Sequence, residues 1–519
     1  MPVQTQRSVI GKGARRAASS GVAAATRPPA ATLGTLAAPL RLAVVVLLLA
    51  SGWALGQSNR LEIGVGGNVV VGAWNPLRLV ANDVPAGSVL SVTVDQGSLR
   101  SGPIPALLRL PIAGGGGVTV VDQRIYLPNF SSIVWTLSND TRVVSSGSLT
   151  GRDHDGRPLD IVVSRQPGRF ATAFPSEARV VDLSAAELPL EPSAYDGVRS
   201  IIVDGTSTAP RLEAIAAAAG GGALVVLHGE LPSSHAELDL LVDGQLTRLG
   251  AGAVATTSGN PTDAVSAILA FAPLERQALL DGLAAQPLVE PPAPLSQAVV
   301  LAVAAALGLL VVALMRLFAA PGVVAALLLA GLLSLVGWRA LRPTAAELVG
   351  SNTLAIAGGA LALSIELREY FTLPAAEVDV GGVARPLQAR PYRLDADGMH
   401  AAVPRWRSLL VQLPASLAEF PLRLVDGGLE NVGDSMISDV VVIGLGPQER
   451  LPPGARRPLL MAEEGPLPSV YRGLDADLPT GSVLASSGCP EQCTIWLAPA
   501  FVNEVALVPA ADDAREAPL

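Results

Sequence analysis

The chain has few of the side chains on which catalysis and metal binding usually depend. Among 519 residues there are two cysteines, four histidines and 16% charged residues, and aromatic residues make up only 4%. Cys489 and Cys493 have no histidine or third cysteine nearby, and the histidines show no metal-ligand spacing. The sequence therefore predicts no cofactor and no metal site.

Positive charge is also scarce outside the amino-terminal stretch. The whole chain has a formal net charge of −9 at pH 7. Residues 1–41 contain six basic residues and no acidic one, which leaves −15 on the remainder. An acidic body gives no electrostatic basis for binding nucleic acid, so we expect no nucleic-acid partner.

What the chain has in excess is apolar sequence. Half of the residues are hydrophobic, and the mean hydropathy is +0.44. Residues 42–55 follow the basic stretch and end in small residues, as in a signal peptide or an uncleaved signal anchor, so 1–56 is predicted to direct export.

The uncharged runs 298–315 and 322–338 are each just long enough to span a bilayer as a helix. A six-residue turn joins them, which predicts a transmembrane helical hairpin over 297–339.

Two regions show the pattern of β-domains. Within 60–150, short β-branched runs such as Val89–Val94 and Ser132–Leu137 are separated by Gly, Pro and Asn turns, which predicts a β-sandwich. Within 345–510, the predicted strands include Val380–Ala384, Ser408–Leu413 and Leu422–Val425, so a second β-sandwich-like domain is expected. The run Gly427–Gly446, with the following Pro-Gly turn, resembles immunoglobulin-like exported domains.

Residues 158–290 have a different pattern, in which apolar strands alternate with helices. Strands are predicted at Leu159–Val163 and Ser200–Asp204, and an alanine-rich helix at Pro210–Ala219. Strand–helix–strand units with apolar strands indicate a parallel, flavodoxin-like α/β sheet.

The run Ala194–Asp204, with the later run Gly220–Gly229, resembles the first half of a class I glutamine amidotransferase-like domain. Activity in that family requires a nucleophilic cysteine on a sharp strand–helix turn, and this region has none. Because a base without a nucleophile cannot form the acyl-enzyme, the resemblance implies a pseudoenzyme that serves in binding or packing.

One crevice in this region is a candidate ligand site. The run from Asp204 to Thr208, which includes Thr206, lies just past one predicted parallel strand, and His228 lies just past another; ligands bind at that edge of open α/β sheets. A weaker candidate pairs the Gly433-Asp434-Ser435 run with Asp397 and His400, which match the motifs of GDS-type lipases but stand in the opposite order. An ordinary turn is the competing interpretation of that pair.

The expected fold class is thus multidomain α/β plus all-β with membrane helices. We expect a protein of the bacterial cytoplasmic membrane whose large domains are extracytoplasmic, with the lipid bilayer and envelope proteins as partners. The expected function is a non-enzymatic binding or scaffold role through the exported domains. The alternative is a ligand sensor or cryptic hydrolase that uses the crevice near Asp204 and His228. In an oxidising compartment, Cys489 and Cys493 would form a disulfide; free or redox-active thiols remain the alternative.

Overall fold

A computed structural model describes most of the chain after residue 58. The described ranges are 59–96, 103–128, 132–140, 142–150, 156–230, 246–258, 260–289, 347–388, 390–425, 427–461, 466–471, 478–489 and 492–501, with residue 474 and a few isolated positions between 306 and 331. The predicted signal segment, 1–56, lies outside them.

In the described residues of the amino-terminal β-region, seven strands form two layers. The bounds are β1 Arg60–Ile63, β2 Ala73–Val84, β3 Ser88–Asp95, β4 Pro105–Ile112, β5 Gly115–Leu127, β6 Ser132–Asn139 and β7 Arg142–Thr150. Strands β1, β2 and β5 form a three-stranded antiparallel sheet. Strands β4, β3, β6 and β7 lie side by side in a second sheet. The inward side chains alternate along each strand, as in Ser88–Asp95, where every second residue is buried.

The following segment forms a sheet of mostly parallel strands with helices. Its elements are β8 Leu159–Val163, β9 Arg179–Leu183, β10 Val198–Asp204, α1 Leu212–Gly220, β11 Leu224–His228, β12 Leu246–Leu249, β13 Gly252–Thr257, α2 Pro261–Ala270 and α3 Arg276–Ala284. The sheet order is β12-β13-β11-β10-β8-β9, and only β12 is antiparallel to its neighbour. The five parallel strands, numbered along the chain, thus run 2-1-3-4-5, an order found in doubly wound sheets.

The carboxy-terminal region is again composed of strands. The bounds are β14 Glu347–Gly358, β15 Leu361–Thr372, β16 Ala376–Asp379, β17 Arg385–Pro386, β18 Tyr392–Leu394, β19 Met399–Val403, β20 Arg407–Gln412, β21 Ser416–Glu419, β22 Leu422–Val425, β23 Gly428–Asn431, β24 Ser438–Val442, β25 Gly446–Pro447, β26 Arg456–Pro458, β27 Val483–Ser487 and β28 Gln492–Ala498. Nine of them form one sheet around the long β14–β15 hairpin, and β22, β23 and β26 form a small sheet.

One sheet joins the two β-regions. Strand β18 pairs in parallel with β4, so the sheet order is β16-β19-β18-β4-β3-β6-β7. Its apolar face contributes to a core that contains Trp135 from the amino-terminal region and Met399 and Val411 from the carboxy-terminal region. The β-strands of 60–150 therefore share their hydrophobic core with strands more than 200 residues later in the chain.

The predicted fold class is wrong in one essential respect. Strands account for 51% of the structure and helices for 13%, and no helix in the described part of the chain is long and apolar enough to cross a membrane. The predicted hairpin over 297–339 lies almost entirely outside the described residues. The membrane helices in the predicted fold class, and the assignment to the cytoplasmic membrane with large extracytoplasmic domains, are therefore corrected.

The error has a physical source in the composition. Runs of 17–18 apolar residues are at the lower limit for a membrane span. In a chain that is half hydrophobic and contains 52 glycines, an uncharged run of that length is a weak signal.

Candidate functional site

The predicted crevice lies at the carboxyl ends of the parallel strands. Because β9 lies on one side of β8 and β10 on the other, the topological switch point is between β8 and β10. Doubly wound sheets bind their ligands at this point. Ser164 directly follows β8, and Asp204 ends β10, so both stand at the switch point.

The Asp204 carboxylate accepts hydrogen bonds from three side chains. Ser164 and Thr206 each donate a hydroxyl at 2.7 Å, and Nη1 of Arg169 lies 2.8 and 2.7 Å from the two carboxylate oxygens. The Asp204 side chain is only 3% exposed. Burial by itself raises the pKa of Asp204, but the three hydrogen-bonding partners outweigh it and hold the pKa below the ordinary 3.8. The carboxylate is therefore ionised at neutral pH and already paired within its own chain.

The segment between β8 and β9 supplies the partner of Asp204 and closes the crevice. Phe170 is fully buried and Phe174 nearly so. Both belong to an apolar cluster with residues of the sheet and of α2, including Ile202 and Ile268. Because Phe170 anchors the segment, the adjacent Arg169 is held at the end of β10.

His228 is enclosed rather than presented to solvent. It is 1% exposed, and its ring makes an edge-on contact with Phe170, with centroids 5.2 Å apart. Its Nδ1 lies 3.2 Å from Oγ1 of Thr257. Burial lowers the pKa of His228 below 6.5; the Asp204 charge opposes this effect and the Arg169 charge adds to it. The imidazole is therefore neutral at pH 7.

Strand register sets the order of these groups. Asp204 is the Cα partner of His228 on β11, and His228 is the partner of Thr257 on β13. Ser164 comes next to Asp204 on the other side, one residue beyond the Val163–Val203 pair. We call Ser164, Asp204, His228 and Thr257 the polar row.

The polar row does not have the order that nucleophilic catalysis needs. A serine is activated when it donates its proton to a base that a third group orients. Here Ser164 donates directly to a carboxylate of lowered basicity, and the imidazole lies on the far side of that carboxylate. The arrangement suits a hydrogen-bonded support for the strand ends.

The backbone around Asp204 also leaves no space for a side chain at position 205. The amide of Gly205 donates to the carbonyl of His228 at 2.9 Å. A Cβ at position 205 would lie 2.4 Å from the carbonyl oxygen of Glu230. Glycine is required here because the turn after β10 packs directly on the turn after β11.

Sequence reasoning found Asp204, Thr206 and His228 but missed Ser164, Arg169 and Phe170. The structure brings Asp204 and Thr206 together and places His228 in the neighbouring register position. Ser164 meets the criterion by which Asp204 was chosen, because it is a polar residue directly after an apolar strand. Arg169 lies in a segment without regular structure, where no spacing rule points to it.

The residues of the second candidate site, Ser435 with Asp397 and His400, lie in two separate regions of the structure. His400, on β19, bonds through Nε2 to Asp395 at 3.0 Å rather than to Asp397. Ser435 lies in the loop between β23 and β24, and its carbonyl accepts a hydrogen bond from Asn431. These bonds are those of ordinary turns. Among the described residues, no group of three His, Cys, Asp or Glu side chains is placed to hold a metal ion.

The two cysteines lie together at the tip of a hairpin. Cys489 follows β27 and Cys493 is on β28, and they are joined as a disulfide. On its other side Cys493 is the register partner of Asn352 on β14. The disulfide therefore closes a short loop at the tip of the β27–β28 hairpin, between two interior strands of the nine-stranded sheet.

A cleft of about 450 Å³ lies away from the polar row. Arg248 and Glu275 are its charged residues, and apolar side chains and prolines form most of the remainder. The Arg248 guanidinium stacks on Phe271 at 5.2 Å. The cleft lies where β12 and α3 meet β14, so it is formed between the α/β sheet and the nine-stranded sheet.

Comparisons with known proteins provide no family. No family model and no curated protein matches the chain. A Paenibacillus sp. cycloisomaltooligosaccharide glucanotransferase, solved with cycloisomaltoheptaose, is 13% identical over 33% of this chain and 28% of its own, with a TM-score of 0.17. The β-glucosidase from Kluyveromyces marxianus, solved with glucose, is 8% identical over 82% of this chain and 44% of its own, with a TM-score of 0.11. This chain thus spans less than half of either protein, and likenesses this weak support no conclusion about fold or function.

Proposed function

We propose that the protein is a non-enzymatic binding or scaffold protein. The observation that carries the proposal is the state of Asp204. An ionised carboxylate has about four lone-pair positions, and Ser164, Thr206 and Arg169 together make four short contacts to it. Three of these contacts are to Oδ2 and one is to Oδ1, and the side chain is only 3% exposed. The carboxylate is therefore engaged within its own chain at the place where doubly wound sheets bind ligands.

The same geometry disfavours the alternative, a ligand sensor or cryptic hydrolase in the crevice near Asp204 and His228. Such a protein needs a polar side chain directed into accessible space. Phe170 covers His228, whose lowered pKa keeps it neutral. Arg169 neutralises Asp204.

The proposal treats the 158–290 region as a class I glutamine amidotransferase-like domain that lacks the nucleophile. Its support is the resemblance of the runs ending at Asp204 and Gly229, together with the absence of cysteine. The only cysteines of the chain are Cys489 and Cys493, which are bonded to each other. The partner we propose is a protein, since the acidic chain does not favour nucleic acid.

Covalent labelling tests the proposal. A fluorophosphonate reacts with a serine hydroxyl only when a neighbouring base activates it. We expect the intact mass of the full chain to remain unchanged after incubation with this probe at pH 7.5. A single adduct that is lost in both Ser164→Ala and His228→Ala would show an activated nucleophile at the polar row and overturn the proposal. Ser148→Ala, at a serine on β7 outside the polar row, serves as the control.

A further inference from the structure

The cleft between the α/β sheet and the nine-stranded sheet has an apolar lining with two charges. Its volume of about 450 Å³ is within the range of pockets that enclose ligands of drug size. Of its 14 lining residues, 12 are glycine, alanine, proline, leucine or isoleucine, and the other two are Arg248 and Glu275. These two side chains are therefore the groups available to orient a ligand in the cleft.

The floor of the cleft is fixed by close packing of the two sheets. The amide of Gly250 donates to the carbonyl of Gly358 at 3.1 Å, so the turn after β12 lies directly on the end of β14. A Cβ at position 358 would lie 2.6 Å from the carbonyl oxygen of Gly250. Leu279 on α3 and Ile356 on β14 are buried in the same apolar cluster. The cleft is thus preformed, at a junction of the kind where ligand pockets often occur.

Arg248 has hydrogen-bonding capacity that the protein does not use. Its guanidinium carbon lies 5.2 Å from the centroid of the Phe271 ring, a distance at which a cation is attracted to an aromatic face. Among the described residues, the Arg248 side chain makes no hydrogen bond and no ion pair. The five N–H donors of a guanidinium lie in its plane. Arg248 therefore remains able to bind a carboxylate through two parallel hydrogen bonds.

Glu275 supplies the opposite charge. It precedes α3, and its side chain makes no capping hydrogen bond at the start of that helix. Within the part of the chain that the structure describes, its carboxylate has no basic partner, so it does not pair with Arg248. One positive and one negative group thus line the same cleft without neutralising each other.

The two charges determine the class of ligand. Because they sum to zero, the cleft favours a ligand that carries both signs and no net charge. A simple anion is attracted by Arg248 and repelled by Glu275, and a simple cation has the opposite pair of interactions. The apolar lining favours apolar side chains on the ligand. A single amino acid is smaller than the ligands that pockets of this volume enclose, whereas a peptide of a few residues matches them.

We propose that this cleft binds a short peptide with apolar side chains and two free termini. The terminal carboxylate accepts hydrogen bonds from Arg248, the terminal ammonium pairs with Glu275, and the side chains lie against the apolar lining. The cleft is separate from the polar row, so this inference goes beyond the function proposed above and does not depend on it.

Isothermal titration calorimetry of the full chain with trileucine tests the proposal. At pH 7 both termini of this peptide are charged, and we expect one peptide to bind per chain. Trileucine amide lacks the carboxylate, and N-acetyl-trileucine lacks the ammonium. Each should bind about 10-fold more weakly than trileucine, because each loses one charge-assisted contact.

Two variants assign each terminus to its partner. In Arg248→Met, trileucine should bind about 10-fold more weakly. Trileucine and its amide should then bind equally well, because the partner of the carboxylate is gone. In Glu275→Gln, trileucine and its acetylated form should bind equally well for the corresponding reason. Arg405→Met, at an exposed arginine in the turn between β19 and β20, is the control and should leave all three affinities unchanged.

Three results would each overturn the proposal. The first is no heat of binding with trileucine up to about 1 mM, measured at two temperatures because the binding enthalpy changes with temperature when apolar surface is buried. The second is equal affinity of the wild type for the free and the blocked peptides. The third is that Arg248→Met discriminates against the amide as strongly as the wild type does. Unchanged circular dichroism and thermal unfolding show that every variant is folded.

Discussion

Arg385 stacks on Tyr126, with its guanidinium carbon 3.7 Å from the ring centroid. The arginine is on β17 and is 7% exposed, whereas the tyrosine is on β5. Nε of Arg385 also donates to Gln412 at 2.8 Å. Burial lowers the pKa of Arg385, and the nearby Tyr126 and Asp196 partly offset this effect. A buried cation thus joins the two halves of the chain, as does the β4–β18 pair.

A double-mutant cycle should detect this contact. Desolvated cation–π pairs contribute about 2 kcal/mol. We expect Arg385→Met and Tyr126→Leu to show a favourable coupling of about 1–2 kcal/mol in the free energy of unfolding by urea. Additive effects of the two substitutions would contradict the stacked geometry.

The shared sheet predicts the behaviour of a shortened chain. A chain that ends at residue 289 lacks β18, so β4 loses one of its two neighbouring strands and the common core loses Met399 and Val411. We expect this chain to bind the dye ANS and to unfold without a cooperative transition. A sharp thermal transition in the shortened chain would show that the first 289 residues fold without the later strands.

The pH dependence of stability should follow from His228. Its pKa in the folded protein is below the ordinary 6.5, so the unfolded chain binds the proton first as the pH falls. The contribution of His228 to the free energy of unfolding is therefore fully present above pH 6.5. It is lost as the pH falls from there to the lowered pKa of the folded state. We expect His228→Asn to flatten this part of the urea-stability profile; an unchanged slope would mean that His228 is not buried in its neutral form.

Thiol titration tests the disulfide between Cys489 and Cys493. Purified protein in denaturant, kept without reductant, should show no free thiol, and two after reduction. A cross-link that closes so short a loop contributes about 2 kcal/mol, so we expect Cys489→Ser/Cys493→Ser to lower the free energy of unfolding by about that amount. Two free thiols before reduction would contradict the bonded pair.

Local elements could be predicted from the sequence where hydrophobic pattern and turn residues agree. The strand predicted at Leu159–Val163 has those bounds, and so does the one at Leu422–Val425. The helix predicted at Pro210–Ala219 is observed at Leu212–Gly220.

The strand predicted at Val380–Ala384 is wrong: the chain turns there, between β16 and β17. Gly381 and Gly382 interrupt that run, and their conformational freedom outweighs the β-propensity of Val380 and Val383.

Long-range pairing could not be predicted in this way. Nothing in the sequence near Tyr392 indicates that it pairs with Ala106, because alternation specifies which face a residue takes and not which strand lies beside it. Likewise, Asp204 could be located at a strand end, but its pairing with Arg169 depends on how Phe170 packs. The membrane prediction failed because it used length and lack of charge alone.

The central claim is that the polar row supports the fold and performs no chemistry, and the stability of Asp204→Asn tests it most directly. Catalytic residues are often held at a cost in stability, so replacing one can stabilise a protein. Removing the buried Asp204 charge instead leaves Arg169 unpaired; because that side chain is 30% exposed, water solvates part of its charge, and the cost is about 2 kcal/mol. We expect urea denaturation to show a loss of that size, with about 1–2 kcal/mol for Ser164→Ala, which removes the hydrogen bond donated to Asp204 and the one accepted from the Gln166 amide. An Asp204→Asn variant as stable as the wild type, or more stable, would contradict the account.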